Sequence, residues 1–192
     1  VSIEKKVVGK RQLYELSLTN MEVLDMFYDM VRGWFKKSAG NYNAFVKALL
    51  INDVEAMNEY MNVISEEIFS NFDVGTKPSK LQPERFYHGF VLGLLVDLAE
   101  DYIVTSNRES GFGRYDVMIE PKDRSKEAFI LEFKVYNPRR EDSLEETVEN
   151  ALIQIEEKQY ETNLSAKGIP IDNIKKYGFA FKGKKVLIGC RG

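Results

Sequence analysis

The chain is poor in the residues that carry thiol, soft-metal or membrane chemistry. Its 192 residues hold a single cysteine, Cys190, and a single histidine, His88. One cysteine closes no intrachain disulfide, and without a Cys cluster there is no zinc site to assemble, so a reducing, cytoplasmic setting is expected. No apolar run approaches the roughly 20 residues that span a bilayer. The longest, Phe86 to Leu98, is interrupted by His88, Gly89, Gly93 and Asp97 and reads as a buried helix, so no membrane is expected. A positive excess is also missing. The net charge is −3 and the pI about 5.4, which argues against a protein that coats nucleic acid through many phosphate contacts. A local basic rim around an acidic site remains compatible with that charge. The chain begins at Val1, with neither an initiator Met nor a secretory leader, which suggests a piece of a longer protein.

What is present is patterned. Residues 7–18 carry scattered apolar side chains, as a strand or extended arm does. Asn20 then suits an N-cap, and Val23, Leu24, Phe27, Met30, Val31 and Trp34 recur at helical spacing. A second helix starts around Tyr42, Phe45, Val46 and Leu49. Asn52 with Glu55 has capping-box spacing for a third, carried by Met57, Met61, Ile64 and Ile68. These stripes read as core. The turn formers at 73–80 mark the candidate boundary between a mostly helical region, 1–78, and a second region, 79–192. Pro83 suits the first turn of a helix running from Glu84 to about Glu100. Strands are expected at 102–106, 114–120 and 128–135, the last two as a hairpin, then a long helix at 143–162. Short strands at 177–181 and 186–189 follow, Cys190 being a small hydrophobe of the last. This is an α/β core with helices against a mixed sheet.

Chemistry concentrates in Asp116 and the Glu132-Phe133-Lys134 strand segment. Residues two apart on a strand leave the same face, so Glu132 and Lys134 point together, and a hairpin brings Asp116 beside them. Two carboxylates and an ammonium among Val117, Ile119, Ile130 and Leu131 are costly without a partner. A hard divalent cation is such a partner: Mg²⁺ takes oxygen ligands and needs only one or two protein carboxylates. The Phe133 carbonyl and substrate phosphate oxygens complete such a shell, and Lys134 is placed to orient a water or stabilise charge.

Asp116, a fifteen-residue gap and Glu132-Phe-Lys134 resemble the D…(D/E)-x-K signature of the PD-(D/E)XK nucleases. The stretches ERFYHGFVLGLL (84–95), SNRESGFGRYDVMIEP (106–121), AFILEFKV (128–135) and ALIQIEEKQY (151–160) resemble the nuclease-like domain attached to bacterial AAA-ATPase-like proteins. LSLTNMEVLDMF (16–27) resembles the segment that leads into it. The resemblance implies a helical N-terminal region followed by a restriction-endonuclease-like core, with a mixed central sheet flanked by helices. It implies Mg²⁺ (or Mn²⁺), with Asp116 and Glu132 as ligands and Lys134 as the catalytic lysine. Glu84 matches an acid placed near the metal, and Gln154 a position near the site. Tyr160, the second half of a Gln-plus-Tyr pattern, is rotated away from Gln154 on a continuous helix, whereas Lys158 lies one turn on. The implied partners are nucleic acid, DNA ahead of RNA, and an ATPase part outside this chain, since no Walker loop is present here.

Blander readings stand beside these. Glu84 also complements a helix dipole. His88, four residues on, reads first as a structural histidine bonded to Glu84. Arg108, Ser110 and Arg114 around the glycine turn are phosphate candidates or solvated turn residues. Lys175, Lys176, Lys182, Lys184 and Lys185 form a basic rim or a solvated face. A non-catalytic nucleic-acid-binding or regulatory module of an ATPase-linked system is the alternative to a nuclease, and a small-molecule phosphodiesterase is a third.

Overall fold

Short, nearly continuous apolar runs, buried over 117–119, 128–131 and 177–181, build the centre of the molecule. The computed structural model describes residues 2–8, 11–17, 39–71 and 83–191. It divides into two compact units, Val1–Ala39 and Gly40–Gly192. In the first, β1 (Ser2–Val8) and β2 (Arg11–Ser17) pair antiparallel as a hairpin, so the strand expected from residue 7 has a partner that starts at Ser2. The helix expected over 20–34 and the boundary at 73–80 lie outside the described residues.

The second unit opens with α1 (Ala39–Leu50) and α2 (Val54–Asn71), whose Phe45, Leu49, Met57, Met61 and Ile64 are fully buried. The cap of α2 is Asp53, not Asn52: its Oδ1 accepts from the Ala56 amide at 3.0 Å. Asn52 instead adopts a left-handed φ of 59° and bridges the Tyr177 hydroxyl and the Glu127 carboxylate. Next, α3 (Pro83–Leu94) ends earlier than expected and passes into a 3-10 turn, Val96–Glu100.

β3 (Tyr102–Ser106), β6 (Val117–Pro121), β7 (Ala128–Val135), β8 (Ile174–Lys182) and β9 (Lys185–Arg191) form one sheet in the order β3-β6-β7-β8-β9. The β7–β8 pair is parallel and the other pairs antiparallel. Between β3 and β6 lies a small hairpin, β4 (Glu109–Ser110) and β5 (Gly113–Arg114). The strand expected at 114–120 is therefore interrupted at Tyr115–Asp116. The parallel pair needs a crossover, supplied by α4 (Leu144–Glu157) and α5 (Thr162–Ala166). Ser143 caps α4 through the Glu146 amide, and the helix stops five residues short of Thr162.

The two faces of the sheet bury different material. Ala128, Ile130, Met118 and Ala180 pack on Val148, Leu152 and Ile155 of α4. On the other face Phe133 meets Phe179 and Phe181 edge-on, and Tyr87 stacks on Phe181 at 4.3 Å. Gly178 lets α4 approach β8 closely, because a Cβ there would sit 2.7 Å from the Val148 carbonyl. Cys190 lies in β9, the last strand, where it was expected, and is exposed.

Candidate active site

The alternation of β7 explains why charge enters the core. Ala128 and Ile130 point into the α4 face, and Glu132 and Lys134 continue that face. Glu132 is 3% exposed and Lys134 half-buried. Gln154, on the facing side of α4, joins them. Its Nε2 donates to Glu132 Oε1, and its Oε1 accepts from Lys134 Nζ at 2.7 Å. One amide thus holds acid and ammonium in a fixed relation.

Asp116 arrives from the bend before β6. Extending the Val117↔Leu131 register by one residue sets it opposite Glu132. Its Oδ2 accepts from the Phe133 amide at 2.8 Å, and its carbonyl accepts from Asn107 N at 3.1 Å. Burial lifts the Asp116 carboxyl above its ordinary range. The Phe133 amide and the charges of His88 and Lys134 oppose that rise without cancelling it.

Tyr160 is nearer than a continuous helix predicts. With α4 ended at Glu157 and Gln159 at φ 52°, the chain turns back and buries Tyr160. Gln154 Nε2 donates to its hydroxyl at 3.2 Å, and the hydroxyl donates to the Arg114 carbonyl at 2.7 Å. Burial raises the Tyr160 pKa. The Gln154 hydrogen bond lowers it, while Glu132 and Asp116 raise it further.

Other expected residues separate into placed and diverted. Ser110 is buried and donates its hydroxyl to the Tyr160 carbonyl at 2.7 Å, so that group is spent on the protein, not presented to a phosphate. Arg114 and Lys158 are exposed beside it, and the Lys158 carbonyl accepts from Phe112 N at 2.7 Å. His88 lies 5.7 Å from the Phe133 ring, with Ser106 Oγ and Asn107 Nδ2 each 3.1 Å from a ring nitrogen. Glu84 is in the first turn of α3, and its side chain lies outside the described residues. Of the expected rim, Lys175 pairs with Glu127 and Lys176 with Glu161, while Lys182 sits over the Tyr136 ring at 4.2 Å.

Two neighbours had no advance signal as site residues. Asn107, with φ 52°, holds both His88 and the Asp116 carbonyl; only its tolerance of left-handed backbone hinted at a special turn. Glu141 sits in the loop before α4. Burial pushes its carboxyl up, but bonds from Asn137 N, Thr147 and Asn150, with the charge of Lys134, bring it below the ordinary range.

The donor set fits a hard divalent cation: two carboxylates converge, and neither sulfur nor a second imidazole competes. Among the described residues no group of three His, Cys, Asp or Glu side chains could hold a metal. The protein would therefore supply Asp116, Glu132 and backbone oxygen, leaving other positions to water or substrate.

No curated protein and no solved structure matches this chain. A family model described as the PD-(D/E)XK nuclease superfamily matches residues 82–190, a span that takes in α3, α4 and the five-stranded sheet except the last residue of β9. With more than half of its length matched by that family model, the chain belongs to the PD-(D/E)XK nuclease superfamily.

Proposed function

We propose that this chain is a metal-dependent nuclease that hydrolyses phosphodiester bonds, in DNA ahead of RNA, at a centre made of Asp116, Glu132 and Lys134. The observation that carries this reading is the Gln154 bridge: it holds Lys134 and a buried Glu132 together, with Asp116 fastened to the intervening Phe133 amide. Buried ionisable clusters of this kind belong to functional sites more often than to packing.

Asp116 and Glu132 hold the metal, with the Phe133 carbonyl and, by family resemblance, Glu84 completing the protein's share. When bound, Mg²⁺ or Mn²⁺ polarises the phosphoryl group and lowers the pKa of a water. Lys134 places its ammonium where negative charge grows on the phosphorus oxygens. Gln154 aims that ammonium, and Tyr160 fixes the far side of the Gln154 amide. Burial on the α4 face keeps bulk water from the carboxylates and strengthens each of these interactions. Arg114 and Lys158 take flanking phosphates, and His88 acts on Asp116 through its charge.

The resemblance to AAA-ATPase-linked domains makes an ATPase part, in the bacterial cytoplasm, the natural partner. Among the described residues no helix is long and apolar enough to cross a membrane. The net charge of −3, with Lys175 and Lys176 already paired to acids, favours a second reading: a regulatory module that binds nucleic acid only with a partner's basic surface.

Cleavage of single- and double-stranded DNA and RNA with Mg²⁺ or Mn²⁺ separates the two. Lys134→Ala and Glu132→Ala are each expected to lower the rate by at least about 10²-fold, the scale of losing one charge-stabilising group. No metal-dependent difference between wild type and variants on any substrate would leave only the binding module.

A further inference from the structure

The hairpin between β3 and β6 is held more firmly than a surface turn requires. Phe112 N donates to the Lys158 carbonyl at 2.7 Å, Ser110 donates to the Tyr160 carbonyl, and the Arg114 carbonyl accepts from the Tyr160 hydroxyl. Gly111 has φ 58°, and a Cβ there would run into the Lys158 carbonyl, so the hairpin seats directly on the end of α4. Yet the side chain at its tip, Phe112, is 73% exposed. A phenyl ring fixed in water on a braced backbone meets no core. Around it Arg108, Arg114 and Lys158 are exposed, and none has an ion pair among the described residues. The one acid of the hairpin is Glu109, across from Arg114.

A lone aromatic among unpaired cations suits nucleic acid better than a protein surface, which would need a wider apolar patch. Every base has a π-face, and base–aromatic stacking with backbone cations is how single strands are held without sequence preference. The hairpin is also wired to the proposed centre, since the Tyr160 hydroxyl that holds Arg114 is hydrogen-bonded to Gln154. We propose that Phe112 is a stacking platform for an unpaired base, with Arg108, Arg114 and Lys158 on the adjoining phosphates, so that the substrate carries a single-stranded segment. This rests on the nuclease reading and adds the substrate class to it.

The test is binding of fluorescently labelled single-stranded DNA, single-stranded RNA and blunt duplex to the whole chain, by anisotropy without divalent metal. Phe112→Ala is expected to weaken single-strand binding roughly 5- to 100-fold, the loss of one stacked base, and to leave the blunt duplex unchanged. Phe112→Trp is expected to retain single-strand affinity and to show a fluorescence quench greater than that of the wild type, whose single tryptophan is Trp34. An unaltered thermal melt of Phe112→Ala shows that the loss is not unfolding. Wild-type affinity in Phe112→Ala, or equal weakening on strands and duplex, overturns the platform while wild-type cleavage keeps the nuclease reading. A wild type that neither binds nor cuts any of the three overturns both.

Discussion

At the scale of single residues, Asp116 shows how the site stores its chemistry. A carboxylate with one oxygen on the Phe133 amide should be comfortable when charged, but burial outweighs that bond and the charges of His88 and Lys134, and its pKa is raised. An acid raised in the folded state contributes stability below the ordinary carboxylate pKa of 3.8 and loses it as pH rises through the folded value. Asp116→Asn keeps an acceptor for the Phe133 amide and removes the charge. Metal-free Asp116→Asn should therefore melt higher than wild type at neutral pH, with the gain disappearing towards pH 3.8. Melting curves in chelator across that range check this, and a variant that melts lower at neutral pH would show that the charge is better solvated than its burial indicates.

At the scale of elements, α2 does for β9 what a sixth strand would. Asn58 accepts from the Ile188 amide and donates to the Ile188 carbonyl, both at 2.8 Å. One turn on, Asn62 does the same at Val186, at 2.9 and 2.7 Å. Two asparagines four apart on a helix match residues two apart on a strand, so the edge of the sheet is capped by side-chain amides instead of left open to another chain. Ser65 extends the row to the Lys184 carbonyl. Asn58→Ala or Asn62→Ala leaves a backbone N–H and C=O of β9 without this partner, at a cost of about 1–3 kcal/mol each. Urea unfolding should show a lower midpoint with an unchanged slope. A shift below about 0.5 kcal/mol, the size of an ordinary surface substitution, would mean water replaces the amides freely.

At the scale of the whole molecule, the proposed metal is a ligand of the native state alone, because β6 and β7 bring Asp116 and Glu132 together only when the sheet forms. Binding then raises stability by mass action, about 2.7 kcal/mol at a hundredfold excess over Kd. For a domain of this size that is roughly 5–10 °C in Tm. Titrating Mg²⁺ or Mn²⁺ should raise the wild-type Tm by that order, and Glu132→Ala should be flat. A rise of equal size in the variant would move the metal away from this centre. Overall acidity makes any nucleic-acid affinity depend on local cations, so binding should weaken steeply with salt through the few phosphates they neutralise.

Much of this was legible along the chain because it depends on local periodicity. The short apolar run from Ala128 to Val135 predicts a strand, and the alternation of side chains along any strand puts Glu132 and Lys134 on one side of it. Pro83, the Ser143 cap and the stripe of α4 are likewise local physics. What no local pattern contained was decided by packing across distant segments. Tyr160 reaches Gln154 because α4 breaks at Glu157 and Gln159 turns left-handed, a break that the docked β4–β5 hairpin stabilises. Ser110 goes to the protein because burial leaves its hydroxyl one partner, the Tyr160 carbonyl. Asn52 yields the cap to Asp53 because Tyr177 and Glu127, far along the chain, claim its amide. The sequence by itself determined where most strands and helices of the second unit lie, though not where each ends, and marked the three residues proposed to carry the chemistry, since spacing sets the face of each side chain. Only the tertiary structure decided how those three are held, because hydrogen bonds to Gln154, Tyr160 and the Phe133 amide exist once the sheet, α4 and the hairpin have closed around them.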